Sequence, residues 1–121
     1  MASCQPPVRK HPRLKALPRA MVLFKNGPEP QLPCHLIDIS EGGLSYRYLG
    51  KMLKGKGVLS VSLYHEEDLI IDNLQAKYIS DIHLYDHDVP IRRGSLCFEA
   101  PSVEQQNKIS TFIEKFTESY Q

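Results

Sequence analysis

Short apolar segments separated by turn residues, one of them in clear period-two alternation, fill most of this chain, and the C-terminal stretch changes to helical spacing. Residues 19–25 (RAMVLFK) predict a strand, followed by a turn at Asn26-Gly27-Pro28, because Asn-Gly tolerates the positive φ of tight hairpins. A second strand is predicted over 31–39, with Pro33 marking an edge or an irregular start. Glu41-Gly42-Gly43 interrupts it, and Leu44, Tyr46 and Tyr48 alternate with a period of two over 44–49. A Gly/Lys-rich loop at 50–57 precedes strands at 58–64 and 69–79. Residues 80–90 are acidic and carry histidines, which predicts a long connection or a hairpin tip, and 95–99 form a last short strand. Short strands with turn signals at this spacing predict a small closed antiparallel barrel or a sandwich.

The C-terminus predicts a helix over about 102–119. Ser102 followed by Gln105 fits a capping box, in which each side chain satisfies an orphan amide at the helix start. Ile109, Phe112, Ile113, Phe116 and Tyr120 then recur on one face. A short helix persists only when such a stripe is buried, so this one is expected to pack on the barrel. Residues 1–18 are different again. Pro6, Pro7, Pro12 and Pro18 remove amide donors among basic residues, which predicts a flexible extended arm ahead of a barrel domain over 19–121.

The 121 residues allow one core and leave little room for a second. A net charge of +1 gives no global field toward nucleic acid or acidic membrane, so anion recognition requires a local basic cluster. The longest apolar runs fall far short of the roughly 20 residues that span a bilayer, and the N-terminus lacks the apolar run of a signal peptide. Cys4, Cys34 and Cys97 include no CxxC pair, so neither a disulfide framework nor a zinc site is indicated. Reduced thiols in a cytoplasmic protein are the simplest expectation.

Two short clusters carry candidate chemistry. Arg9-Lys10-His11-Pro12-Arg13 places two arginines four apart on the proline-stiffened arm. Asp38-Ile39-Ser40-Glu41-Gly42-Gly43 is a D-x-S-x-x-G turn closing the second strand. Each alone has a plain reading: terminal basic residues are usually solvated, and Asp and Ser in turns usually bond their own neighbouring amides. Taken together they suit an anionic guanine nucleotide. Arginine presents a planar fork to phosphate oxygens or to the O6 and N7 edge of guanine. A carboxylate accepts from guanine N–H donors, Ser supplies a hydroxyl, and Gly43 lets a ligand approach the backbone.

R-x-x-x-R, a strand and turn, and then D-x-S-x-x-G resemble the PilZ domain, a bacterial receptor for cyclic di-GMP. Arg92-Arg93-Gly94-Ser95-Leu96-Cys97-Phe98 is similar to that family's late strand, and the amphipathic helix follows it as the family has it. The resemblance implies a mainly β fold, a six-stranded antiparallel barrel with a C-terminal helix, and cyclic di-GMP held against its outside by the arm. It further implies that Arg9 and Arg13 contact phosphates and guanine, while Asp38, Ser40 and Gly43 line the facing strand and turn. Cyclic di-GMP is then the ligand, ordering the arm and signalling to a protein effector, with no cofactor and no enzymatic activity expected.

Other chemistry is weakly supported. His83 and His87 beside Asp81, Asp86 and Asp88 lie in a stretch that reads as a loop or strand end, so no metal site is expected. The glycines around Lys54 and Lys56 lack Walker spacing, and no catalytic triad can be read from local spacing. Two binding modules of other kinds remain as alternatives: a ligand-independent protein-interaction barrel, and a barrel that stacks single-stranded RNA on its tyrosines. The low net charge and the absence of an aromatic-basic stripe count against RNA, and no nucleic-acid polymer or membrane insertion is expected.

Overall fold

The short apolar segments are strands in the computed structural model, which describes residues 13–25, 33–49, 58–85 and 90–118. They are β1 (Leu14–Lys15), β2 (Ala20–Phe24), β3 (Pro33–Ile39), β4 (Gly43–Leu49), β5 (Val58–His65), β6 (Asp68–Tyr85) and β7 (Ile91–Phe98). One helix, α1 (Val103–Phe116), follows. The strands run in the order β1-β3-β2-β5-β6-β7-β4, and pairing of β3 with β4 closes the six strands β2 to β7 into a ring. All ladders are antiparallel. The expected six-stranded barrel is therefore present, with β1 as an extra strand beside β3. The turn expected at 26–28 and the loop expected at 50–57 lie outside the described residues.

Alternation places one set of side chains inside the barrel. Val22, Leu36, Ile39, Leu44, Tyr46, Val61, Leu63, Ile71, Leu74 and Leu96 are all buried. Two glycines allow β7 and β4 to approach. A Cβ at Gly94 would stand 2.3 Å from Cζ of Tyr46, its partner across the ladder, so the ring covers the missing side chain. A Cβ at Gly43 would stand 2.2 Å from the carbonyl oxygen of Leu96.

Several expectations need correction. The residues read as a connection at 80–90 belong in large part to β6, which continues to Tyr85, and β7 begins at Ile91 rather than 95. Polar residues in this stretch lie within the strands instead of in a solvated connection. Asp81 turns inward at the barrel end, where it accepts hydrogen bonds from Tyr48 and from Arg92 Nε at 2.6 Å. A buried carboxylate with two donors is satisfied, so a strand can carry it. The arm assigned to 1–18 also gives its last residues to the sheet, because Leu14 and Lys15 pair with Ile39 and Asp38. Cys34 is free and buried, as expected of a reduced thiol.

The capping box forms as expected. Ser102 Oγ accepts from the Gln105 amide at 3.1 Å, and the Gln105 side chain accepts from the Ser102 amide at 3.1 Å. The helix ends at Phe116, earlier than the predicted 119, and Tyr120 lies outside the described residues. Ile109 and Phe112 are buried, and Phe116 stacks on His65 with ring centroids 4.5 Å apart. Beyond the helix, Thr117 bridges to Ala16, so the residue after α1 lies against the segment that follows β1.

Phe112→Ala is expected to destabilise the fold by about 3–5 kcal/mol. Ser102→Ala is expected to cost only about 1 kcal/mol. Denaturant titration measures both, and equal losses would contradict this account of how the helix is held. Burial, then the nearby Asp81 charge, pushes the Cys34 thiol up to about 12 from 9.0. Between those values the unfolded chain has released this proton while the folded one keeps it, so its contribution makes stability fall as pH rises from 9 toward 12. Iodoacetamide at pH 8 is accordingly expected to label Cys34 far more slowly in the native protein than in denaturant.

Candidate functional site on the outer barrel face

The bulge in β3 between Leu36 and Asp38 resets its alternation, so Asp38 faces outward while Leu36 and Ile39 both face the core. β1 lies beside it, with Lys15 paired to Asp38, and this register carries Arg13 back over the same face. Arg13 Nη1 donates to Asp38 Oδ1 at 3.1 Å. From the other side Arg93, on β7, donates through Nη2 to Asp38 Oδ2 at 2.9 Å. Ser45, directly opposite Asp38 on β4, donates to Oδ1 at 2.7 Å and accepts from Arg93 Nη2 at 3.1 Å. One carboxylate thus holds two guanidiniums and a hydroxyl.

Arg13 is well covered, with its side chain 10% exposed, whereas Arg93 is 35% exposed. A charge-assisted pair with little solvent is stronger and more directional than an exposed one. The cluster therefore fixes where the arm leaves the barrel. It also carries more positive than negative charge.

Of the residues predicted to bind a ligand, Asp38 and Arg13 are brought together. Arg9 lies outside the described residues. Ser40 and Gly43 sit at the adjacent turn, where Ser40 is 5% exposed and its hydroxyl is used locally. It accepts from the Gly42 amide at 3.1 Å and donates to the Gly43 carbonyl at 3.4 Å, while the Ser40 amide donates to the same carbonyl at 2.8 Å. The space at Gly43 is taken by the β7 backbone. Glu41, at the tip of the turn, accepts from Ser110 Oγ on α1 at 3.0 Å.

Ser45 and Arg93 were not singled out from the sequence. Ser45 has a signal of a kind, since it faces outward two residues beyond Gly43. Arg93 is 55 residues from Asp38, and only the barrel's closure brings it there. No helix of the described residues is long and apolar enough to cross a membrane, and no cluster of metal-ligating side chains occurs among them.

Comparison with known proteins fits this arrangement. The profile of the PilZ domain matches residues 7–115, which span the arm, the barrel and most of α1. This chain belongs to the PilZ family. Solved PilZ structures share its fold. The PilZ domain of YcgR from Escherichia coli, solved with c-di-GMP, has a TM-score of 0.69 at 19% identity, covering 88% of each chain. MrkH of K. pneumonia in its c-di-GMP complex has a TM-score of 0.71 at 16% identity, over 88% of this chain and 51% of MrkH. The longer YcgR of E. coli with c-di-GMP gives 0.68 at 20% identity, over 88% of this chain and 44% of YcgR. The chain thus spans about half the length of MrkH and of the longer YcgR. No curated protein matches the sequence.

Asp38→Ala is expected to destabilise the PilZ barrel by about 1–3 kcal/mol, because Arg13 and Arg93 lose their shared counter-charge. Asp38→Asn keeps the side chain's shape and one acceptor oxygen while removing the charge, and is expected to lose less. Thermal unfolding measures the difference, and an unaffected Asp38→Ala would show that the cluster does not hold the arm.

Proposed function

We propose that this PilZ chain is a receptor for cyclic di-GMP that binds across the seam between the arm and the outer barrel face. The observation that carries the reading is the Arg13–Asp38–Arg93 cluster, set on the D-x-S-x-x-G strand and turn of a chain that matches the PilZ domain. Cyclic di-GMP brings two phosphates and two guanines. A guanidinium has five N–H donors, and Arg13 gives Asp38 only one, which leaves donors for a phosphate or a guanine edge. Arg9 supplies a second fork from the same arm. Asp38 orients Arg13 and accepts from a guanine N–H, with Ser40 and Gly43 shaping the turn beside it.

In this reading the chain performs no chemistry on its ligand. Binding ties Arg9 and Arg13 over the barrel, orders the arm, and presents the ligand-covered face to a protein effector. Sensing an intracellular nucleotide places the chain in the bacterial cytoplasm.

Calorimetric titration tests the assignment. Wild type is expected to bind cyclic di-GMP and not GTP, with Arg9→Ala and Arg13→Ala each losing about 2–5 kcal/mol of binding energy. A folded wild type that ignores cyclic di-GMP would contradict it and favour a ligand-independent interaction module. Amide exchange over residues 5–15 is expected to slow on binding, and unchanged exchange would refute the ordering step.

A further inference from the structure

The register of the barrel sets a second row of side chains beside the Asp38 cluster. Across β3, β4, β7 and β6 the partners run His35, Arg47, Arg93 and Ile82. The neighbouring row runs Asp38, Ser45, Ser95 and Ser80. Both rows face outward, since Tyr46 and Tyr48 flank Arg47 with buried side chains and Gly94 lies beneath Tyr46. Arg47 and Arg93 are therefore directly opposite each other on adjacent strands. In antiparallel ladders such partners hold their Cβ atoms about 4.5–5.5 Å apart, and like charges there are destabilising.

Among the described residues, no carboxylate other than Asp38 pairs with either arginine. Asp38 is already shared between Arg93 and Arg13. Arg47 is exposed and makes no ion pair or hydrogen bond among the described residues. Three guanidiniums, those of Arg13, Arg93 and Arg47, thus share one face with a carboxylate that pairs with only the first two. A barrel gains nothing in stability from placing two arginines opposite each other on an exposed ladder. An anion seated between them turns the repulsion into two charge-assisted contacts.

We infer that Arg47 and Arg93 form a phosphate station on the β4–β7 ladder. It extends the ligand site past the arm and the turn, and it receives a phosphate of the nucleotide whose other groups meet Arg13 and Asp38. The inference rests on the receptor reading above. It adds Arg47, outside both sequence motifs, as a residue that sets affinity by direct contact. Arg93 acts twice, holding Asp38 through Nη2 and facing the anion with its remaining donors.

Arg47→Gln separates contact from structural support, because the two roles predict opposite signs. Removing one of two facing charges is expected to raise the melting temperature of the ligand-free protein by about 1–4 °C. The same change is expected to weaken cyclic di-GMP binding by about tenfold or more. Lys108→Gln on α1 removes the same charge elsewhere and is expected to leave affinity within about twofold of wild type, as a helix-surface residue screened by salt should. Wild-type affinity in Arg47→Gln, or an equal loss in Lys108→Gln, overturns the station while leaving the receptor reading intact. If wild type binds no cyclic di-GMP, the receptor reading fails, and thermal shift with inorganic pyrophosphate decides the station alone. A stabilisation abolished by Arg47→Gln then supports it, and no stabilisation overturns it.

Discussion

The structure depends on how much a single strand, β3, must satisfy. It pairs with β2, with β4 and with β1, and its pairing with β4 turns an open sheet into a barrel. Three partners are possible because the strand is divided: its first half meets β2, and its second half meets β1. The bulge between those halves lets Leu36 and Ile39 both enter the core while Asp38 faces out. Without the bulge, strict alternation across 36–39 would place Asp38 inward with Leu36 and turn Ile39 out.

Once Asp38 faces outward, the site follows from register. β1 lies along the same half-strand, so Arg13 falls on the carboxylate, and ring closure brings β7 within reach of it from the other side. The turn after β3 is held by Ser40, and its tip is tied to α1 through Glu41 and Ser110. The helix end is tied in turn to the base of the arm, where the Leu17 amide donates to the Phe116 carbonyl at 2.8 Å. Arm, turn and helix are thus joined around one face of the barrel. A ligand that repositions the arm acts on a segment already connected to the helix.

Much of this was legible in the sequence, and the parts that were not have two physical causes. Local signals were sound where the physics is local: short apolar segments became strands, and Ser102 with Gln105 capped the helix. The R-x-x-x-R and D-x-S-x-x-G motifs identified the family because their residue types and order are distinctive over a short span. Errors arose where polarity was read as exposure. Asp81 and Arg92 looked like parts of a solvated connection, yet they face each other at the barrel end within a long hairpin. Arg93 and Ser45 were hidden for another reason, since their role depends on which strands become neighbours. Gly43 was expected to admit a ligand, and its more immediate role is to let the β7 backbone come close.

A crystal structure of the chain with cyclic di-GMP tests the central claim most directly. The account predicts the nucleotide across the seam beside Asp38, with guanidinium forks of Arg9 and Arg13 on its phosphates or guanine edges and the arm ordered over the barrel. A nucleotide bound elsewhere, with Arg13, Asp38 and Arg93 untouched, would contradict it.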